Sequence, residues 1–384
     1  MNAIIKYLDE DAMRQWFEHM HRYPELSMKE ERTAAFIAET LRGFGGYEVE
    51  TGIGKHGIVA TLRAGNGDRT IGLRADFDAL PIQEQNDLDY KSTVDGVSHL
   101  CGHDGHTAML LGAAKYLAET QNFNGTVRLI FQPGEETMEG GPAMIEDGLF
   151  ERFPVDAVFG MHNIPGLEEG KLYFHPGEMM SAVDNWEVRI VGKGGHGGIP
   201  ELTIDPVVAG SSIVMAIQSI VARNVAPAHR AVVTIGAFLA GNAGNVVARD
   251  ATLRFSVRTT TAEDRVMVLG NIRRIVEHQS QSFGCTFEIR EGVPGAVLVN
   301  DKDETEKAMK IAQAAFGEDQ VVYPGPSFLA SEDFAFMLQK KKGTYCFLGG
   351  GPGKMVHHPG YFFNQNNLPV GAAYWVALTE GYLR

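Results

Sequence analysis

Apolar and polar positions change their spacing along the chain, and each change marks a predicted element. The segment from about Ile4 to Phe44 reads as helix; within it, Glu30 to Arg42 is rich in strong helix formers and Gly43 is the expected C-cap. Gly57–Leu62 and Thr70–Asp76 read as strands, and Gly102–Glu119 as a helix with apolar residues at helical spacing. Thr126–Phe131 and Ala157–Met161 are short, mostly apolar strands. Strands that alternate with helices predict an α/β layer on a mixed, largely parallel sheet, with its chemistry at the C-terminal strand ends. Near Val183 the pattern shifts. Asn185–Ile190 alternates polar and apolar, the mark of a half-buried strand. Helix Pro206–Val221, strands Ala231–Leu239 and Thr252–Val257, helix Ala262–His278 and strand Thr286–Arg290 follow. That order, β-α-β-β-α-β, predicts a ferredoxin-like α+β unit. Helix Asp303–Ala315 and a last apolar helix through Trp375 complete the chain. The expected organisation is a catalytic domain in two parts, 1–182 and 299–384, interrupted by an inserted satellite domain at 183–298.

Composition narrows the function class. A length of 384 residues suits two domains, and 44% hydrophobic with 21% charged residues is ordinary for a globular chain. A net charge of -14 argues against a nucleic-acid partner. The opening MNAIIKYLDEDAMRQWF lacks the basic and apolar regions of a secretory signal, and no uninterrupted apolar run approaches the roughly 18 residues of a membrane span. Cys101, Cys285 and Cys346 are odd in number and far apart, which argues against a disulfide framework and predicts a cytoplasmic location.

Four places carry chemistry. Cys101-Gly102-His103-Asp104-Gly105-His106 puts a thiol and an imidazole two residues apart at a loop-to-helix junction, where both suit a transition metal. Its ordinary alternative is a buried cysteine with two helix-stabilising histidines. Glu135-Glu136 follows a strand and the turn Pro133-Gly134; one carboxylate can bind metal while the other deprotonates a water. A solvated acidic turn is the commoner fate of such a pair. His162 ends an apolar strand, where a core histidine bonded to backbone is the usual finding. His357-His358-Pro359 follows a glycine run and could be a plain surface turn. Jointly the four supply a thiolate, three imidazoles and a carboxylate, with one carboxylate to spare, a set suited to two metals sharing one ligand.

The sequence resembles the hippurate hydrolase and N-acyl-amino-acid amidohydrolase family of dinuclear metallopeptidases, which includes plant auxin-conjugate hydrolases. The likeness runs nearly end to end through HRYPELSMKEERTAAFI, LRADFDALPI, CGHDGHTAMLLGAA, IFQPGEE, GMHNIPG, GKGGHGGIP, NVVARDATLRFSVRT, SEDFAFM and HHPGYFFNQNNLPVGA. The resemblance implies cleavage of the amide bond of small N-acyl amino acids, with two divalent ions (Mn, Zn, Co or Ni) in each subunit and a homodimer formed through the satellite domain. By position, it implies Cys101 as bridging thiolate, His103 and His162 on one metal, and Glu136 and His357 on the other. His357 is preferred over His358 because the family's ligand stands two residues before the proline. Glu135 becomes the general base and His196 the contact to the scissile carbonyl or its oxyanion; since His196 sits on the satellite domain, that domain is expected to close, with Gly194, Gly195, Gly197 and Gly198 giving the backbone its freedom, or to meet the site of its dimer partner. Asn245 and Arg258 are candidates for holding the substrate, although a turn asparagine and an ion-paired strand arginine are ordinary alternatives. Asp76 and Asp78 would lie beside the metal ligands and orient a ligand histidine. The sequence departs from the family at FFNQNNLP, where acidic residues are common, and at GGHGGIPE, where small alanine-like residues and a later histidine are common. Two other readings compete: a cysteine-nucleophile amidase built on Cys101, and an inactive binding protein on the same fold.

Overall fold

The computed structural model describes residues 4–384; residues 1–3, where the first expected domain begins, lie outside the described part. Along the chain come α1 (Glu10–Arg22), α2 (Glu31–Phe44), β1 (Glu48–Ile53), β2 (Gly57–Ala64), β3 (Thr70–Asp76), α3 (His103–Thr120), β4 (Gly125–Gln132) and β5 (Ala157–Ile164). Then follow β6 (Ala182–Val191), α4 (Pro206–Asn224), β7 (Ala231–Ala240), β8 (Asp250–Thr259), α5 (Ala262–Ser282) and β9 (Thr286–Glu291). The last are α6 (Lys302–Phe316), β10 (Gly343–Gly349) and α7 (Leu368–Tyr382), with shorter pieces between. These elements form two compact units.

The first unit takes the chain up to Met179, then Val299–Ser327 and Asp333–Arg384. Its sheet runs β1-β2-β4-β3-β5-β10 and ends in the short strands Leu172–Phe174 and Val321–Val322. β3 is parallel to β4 and β5, and β10 is parallel to β5, whereas β1-β2 and β2-β4 are antiparallel. The sheet is therefore parallel in its middle and mixed overall. Helix α3 is buried on nearly every side, from His103 to Leu117, which is why its apolar residues are not confined to one stripe. It packs against α1, α2, α7 and β3.

Register fixes where the chemistry emerges. Asp76 pairs with Gln132, so β3 and β4 end side by side and release Asp78 and the Gly134-Glu135-Glu136 turn at one edge. Arg74 pairs with Gly160 on β5, which brings His162 level with Asp76.

Three expectations need correction here. The segment 4–44 is not one helix: α1 stops at Arg22, because Pro24 disfavours helical backbone in the residue before it, and α2 starts at Glu31. α2 also continues past Gly43 to Phe44, and its C-cap is Gly45, at φ 72°. Strands β1 and β10 were not anticipated. β1 is an exposed edge strand without apolar alternation, and β10 is buried at every position and so has no alternation to read.

The second unit holds Met180–Leu298 and Phe328–Glu332. The latter segment, expected within 299–384, is tied to it by Ser181 N–H donating to Ala330 O at 2.8 Å. The strand order is β7-β8-β6-β9, all antiparallel. One face carries Val188, Ile190, Leu253, Phe255 and Val257, packed with Ile213 and Ile217 of α4 and Val268 and Ile272 of α5. Period-2 burial in β8 and helical spacing in α4 supply that layer. At 19 residues, α4 is long and apolar enough by composition to match a membrane span; here it buries Ala209, Gly210, Ile213, Ile217 and Ile220.

Candidate active site

In the first unit, three strand ends and a helix start converge. Cys101 and His103 flank Gly102, the N-cap of α3. Gly102 sits at φ 96°, and a Cβ there would stand 2.4 Å from Asn163 Oδ1 and 2.7 Å from the Tyr361 hydroxyl. Only glycine satisfies both the backbone and the space. Donor atoms of Cys101, His103 and His162 all lie within 4.8 Å of one another, and so do those of Cys101, Glu136 and His357. The two groups share the cysteine. His357 Nε2 stands 3.3 Å from Glu136 Oε2 and Cys101 Sγ 3.3 Å from His162 Nε2. His357 holds a left-handed backbone, φ 66°, and its N–H donates to Leu100 O at 2.7 Å. The neighbouring His358 is exposed and spends its Nδ1 accepting from Gly360 N–H at 2.9 Å.

The donor set fits divalent metals. His103 Nδ1 is 3.0 Å from both the backbone oxygen and Oδ1 of Asp78, so the Nδ1 proton is placed there and the Nε2 lone pair faces the cluster. His162 does the same through Nδ1 and its neighbour's backbone, Asn163 O, at 2.6 Å. His103 Nε2 and Glu136 Oε1 are buried without a hydrogen-bond partner, a costly arrangement unless a cation meets them. Electrostatics agree. Burial, with the charge of Glu136, pushes the Cys101 thiol well above its usual pKa. Burial alone would depress the His103 imidazolium, but Asp76, Cys101 and the Asp78 bond outweigh it and hold its pKa well above the usual value. The acidic cluster thus draws in positive charge, which a proton supplies when no metal does. Burial, with the charge of His106, keeps His162 far below the usual value and therefore neutral, as a ligand must be.

Asp78 and Asp76 act differently. Burial would raise Asp78, but bonds from His103 and Ser27 hold it below the usual carboxylate range. Asp76 makes its bond to His106 Nδ1, at 2.6 Å, and stands 3.8 Å from His103 Nε2. Asp76, His103 and His106 also lie close enough to suggest a third metal position. The buried Arg74 guanidinium, 2.6 Å from Asp76 Oδ2, already neutralises that carboxylate, and both His106 nitrogens face partners. This triad is a support. His106 Nε2 is 2.7 Å from Asn163 Oδ1, and Asn163 Nδ2 donates to the Tyr361 hydroxyl at 2.7 Å.

Glu135 is buried beside these donors, its Oε2 3.9 Å from His103 Nε2. His196 and Asn245 lie in the second unit and are exposed. A short two-stranded ladder pairs His196 with Val246, and Gly197 N–H donates to Asn245 O at 2.8 Å. His196 Nδ1 accepts from Gly198 N–H at 3.0 Å, which leaves the proton on Nε2 as a donor. Gly197 serves the close approach of these strands: a Cβ would stand 2.9 Å from Asn245 O. Arg258 is half-buried, and its Nη1 donates to Leu329 O at 2.6 Å rather than to an acid. In the FFNQNNLP stretch, Asn367 Nδ2 donates to Gly349 O at 2.8 Å and Asn364 Oδ1 caps the turn by accepting from Asn366 N–H. Sequence reasoning missed Arg74, Asn163, Ser27 and Glu30. Asn163 had a signal, being next to His162 at a strand end; Glu30 had none, since an acid at a helix start reads as a cap.

Comparison with known proteins adds an independent line. The family described as peptidase family M20/M25/M40 matches residues 72–381. Hippurate hydrolase of Campylobacter jejuni is 44% identical over the whole of both chains. The N-acyl-L-amino acid amidohydrolase of Geobacillus stearothermophilus is 41% identical over 72% of this chain and 74% of its own. A crystal structure of a Bacillus subtilis protein described as a dinuclear metal binding peptidase superposes with a TM-score of 0.84 at 32% identity, covering 97% of this chain and 98% of that one.

Proposed function

Because this chain belongs to peptidase family M20/M25/M40 and is a metal-dependent amidohydrolase of N-acyl amino acids, we propose which residues perform the cleavage and which substrate they meet first. The observation that carries the assignment is the pair of donor groups sharing Cys101. Two divalent ions, one held by Cys101, His103 and His162 and the other by Cys101, Glu136 and His357, would polarise the scissile carbonyl and acidify the attacking water. Glu135 takes that water's proton and delivers it to the leaving nitrogen, which becomes the free amine of the amino acid. His196, with its proton on Nε2, donates to the developing oxyanion. Asp78 fixes the His103 tautomer. Asn245 and Arg258 hold the substrate's polar end, Arg258 through guanidinium donors beyond the Nη1 bond to Leu329.

The first substrate proposed is N-benzoylglycine, from the end-to-end similarity to a hippurate hydrolase. A panel of N-benzoyl- and N-acetyl-amino acids tests this: preferred release of glycine from the benzoyl compound is expected, and its resistance to cleavage beside rapid turnover of acetyl compounds would move the assignment to another acyl group. We also place the protein in the cytoplasm, in keeping with its three free cysteines, and as a homodimer through β7, an uncharged sheet-edge strand with Val232, Phe238 and Leu239 exposed. A one-chain mass at micromolar concentration would contradict the dimer.

The cysteine-nucleophile alternative fares poorly. A nucleophilic thiol needs a depressed pKa, and burial with the Glu136 charge drives Cys101 the other way.

A further inference from the structure

The loop between α1 and α2 lies outside the residues matched by the family, yet it reaches the catalytic turn. Leu26 forms a parallel bridge with Ala79, and Ala79 N–H donates to Glu25 O at 2.9 Å, so the loop is zipped along the residues that follow β3. Two of its side chains then act on the turn that carries Glu135. Glu30 Oε1 accepts from Gly134 N–H at 2.8 Å and from Met28 N–H at 2.9 Å. Ser27 Oγ donates to Asp78 Oδ2 at 2.6 Å, and that same oxygen accepts from Glu136 N–H at 3.0 Å. The residues on either side of Glu135 are thus each anchored by a carboxylate. Gly134 sits at φ 60°, and a Cβ there would stand 2.5 Å from Met28 Sδ, so the loop packs against the turn as closely as glycine allows.

Glu30 holds the turn at an electrostatic cost. It is fully buried, and its Oε2 has no hydrogen-bond partner. Burying a carboxylate with one oxygen unsatisfied is costly, and an apolar residue at the same place would instead leave the Gly134 and Met28 N–H groups without their acceptor. What the arrangement provides is a fixed path for the backbone through Gly134, Glu135 and Glu136.

We infer that Glu30 and Ser27 are positioning residues for the general base, holding the Gly134-Glu135-Glu136 turn from both sides through Gly134 N–H and Asp78. This rests on the assignment of Glu135 as base. A displacement of about 1 Å in such a group can cost on the order of 100-fold in rate.

The test uses the metal-loaded enzyme and N-benzoylglycine, or the best substrate of the panel, with bound metal measured beside kcat and KM. Glu30→Ala is expected to lower kcat about 10- to 100-fold, with KM within about threefold and two metals retained. Glu30→Gln keeps an oxygen that accepts the same two N–H bonds and is expected to recover most of the rate. A Glu30→Ala enzyme with kcat near wild type, or a Glu30→Gln enzyme as impaired as Glu30→Ala, overturns the inference. If Glu30→Ala does not fold, Ser27→Ala and Ser27→Thr carry the test: loss of kcat in the first and its return in the second are expected, and wild-type kcat in Ser27→Ala refutes the role. Glu135→Gln separates the two layers. An inactive Glu135→Gln beside an unimpaired Glu30→Ala defeats the clamp alone, whereas an active Glu135→Gln defeats the base assignment and the clamp with it.

Discussion

Single protons decide much of the chemistry. One carboxylate, Asp78, fixes the His103 tautomer through Oδ1 and holds Glu136 N–H through Oδ2. In the proposed mechanism Glu135 is then left to move the reaction's proton. Glu135→Gln should lower turnover by about 10²–10⁴-fold while both metals stay bound, measured as kcat beside metal content; wild-type turnover would remove it from the mechanism. A second residue bears on stability. His21 is buried between Asp104, at 2.7 Å, and Glu84, at 3.2 Å. Burial alone would depress its imidazolium, but those two bonds outweigh it and raise the pKa to about 9. Because the folded value lies above the unfolded one, this contribution is complete below about pH 6.5 and is lost as pH rises through 9, worth at most about 3 kcal/mol. With metals saturating, the wild-type Tm should fall across that window more steeply than that of His21→Gln, and equal slopes would contradict it. The candidate ligands were legible as residue types in short motifs. His21, Arg74 and Glu30 were not, because their bonds to Asp104, Asp333 and Gly134 span 83, 259 and 104 positions, and sequence spacing carries no trace of such bonds.

Among the elements, the start of α3 has the narrowest tolerance. It delivers Cys101 and His103 from either side of a left-handed glycine, against Asn163 and Tyr361. Gly102→Ala should lower stability by about 1–3 kcal/mol and weaken metal binding, read as Tm and as metal released to a competing chelator. Unchanged values in both would show that the junction has slack. The sequence made α3 easy to find, since its helical spacing is strong, and β3, β4 and β5 followed from apolar runs between turn residues. β10 escaped because a strand buried on both faces shows no alternation. The break between α1 and α2 was signalled by Pro24, but the function of the loop it opens rests on contacts with residues 55, 78, 79 and 134 that only the folded chain makes.

At the scale of the whole molecule, β3, β4 and β5 end together while α3 begins against them, and the two donor groups meet at that edge. The β-α-β-β-α-β order of the second unit was legible from period-2 strands and two amphipathic helices, but its return segment, Phe328–Glu332, was not, being too short to carry a pattern. In the proposed mechanism two metals share Cys101, and catalysis requires both. The most direct measurement strips the enzyme with a chelator and titrates Mn, Zn, Co or Ni back while following N-acyl-amino-acid hydrolysis and bound metal together. Activity should vanish on stripping and return as the second equivalent per chain binds, and Cys101→Ser should shift both binding steps. Full activity in the stripped enzyme, or full recovery at a single equivalent, would contradict the account.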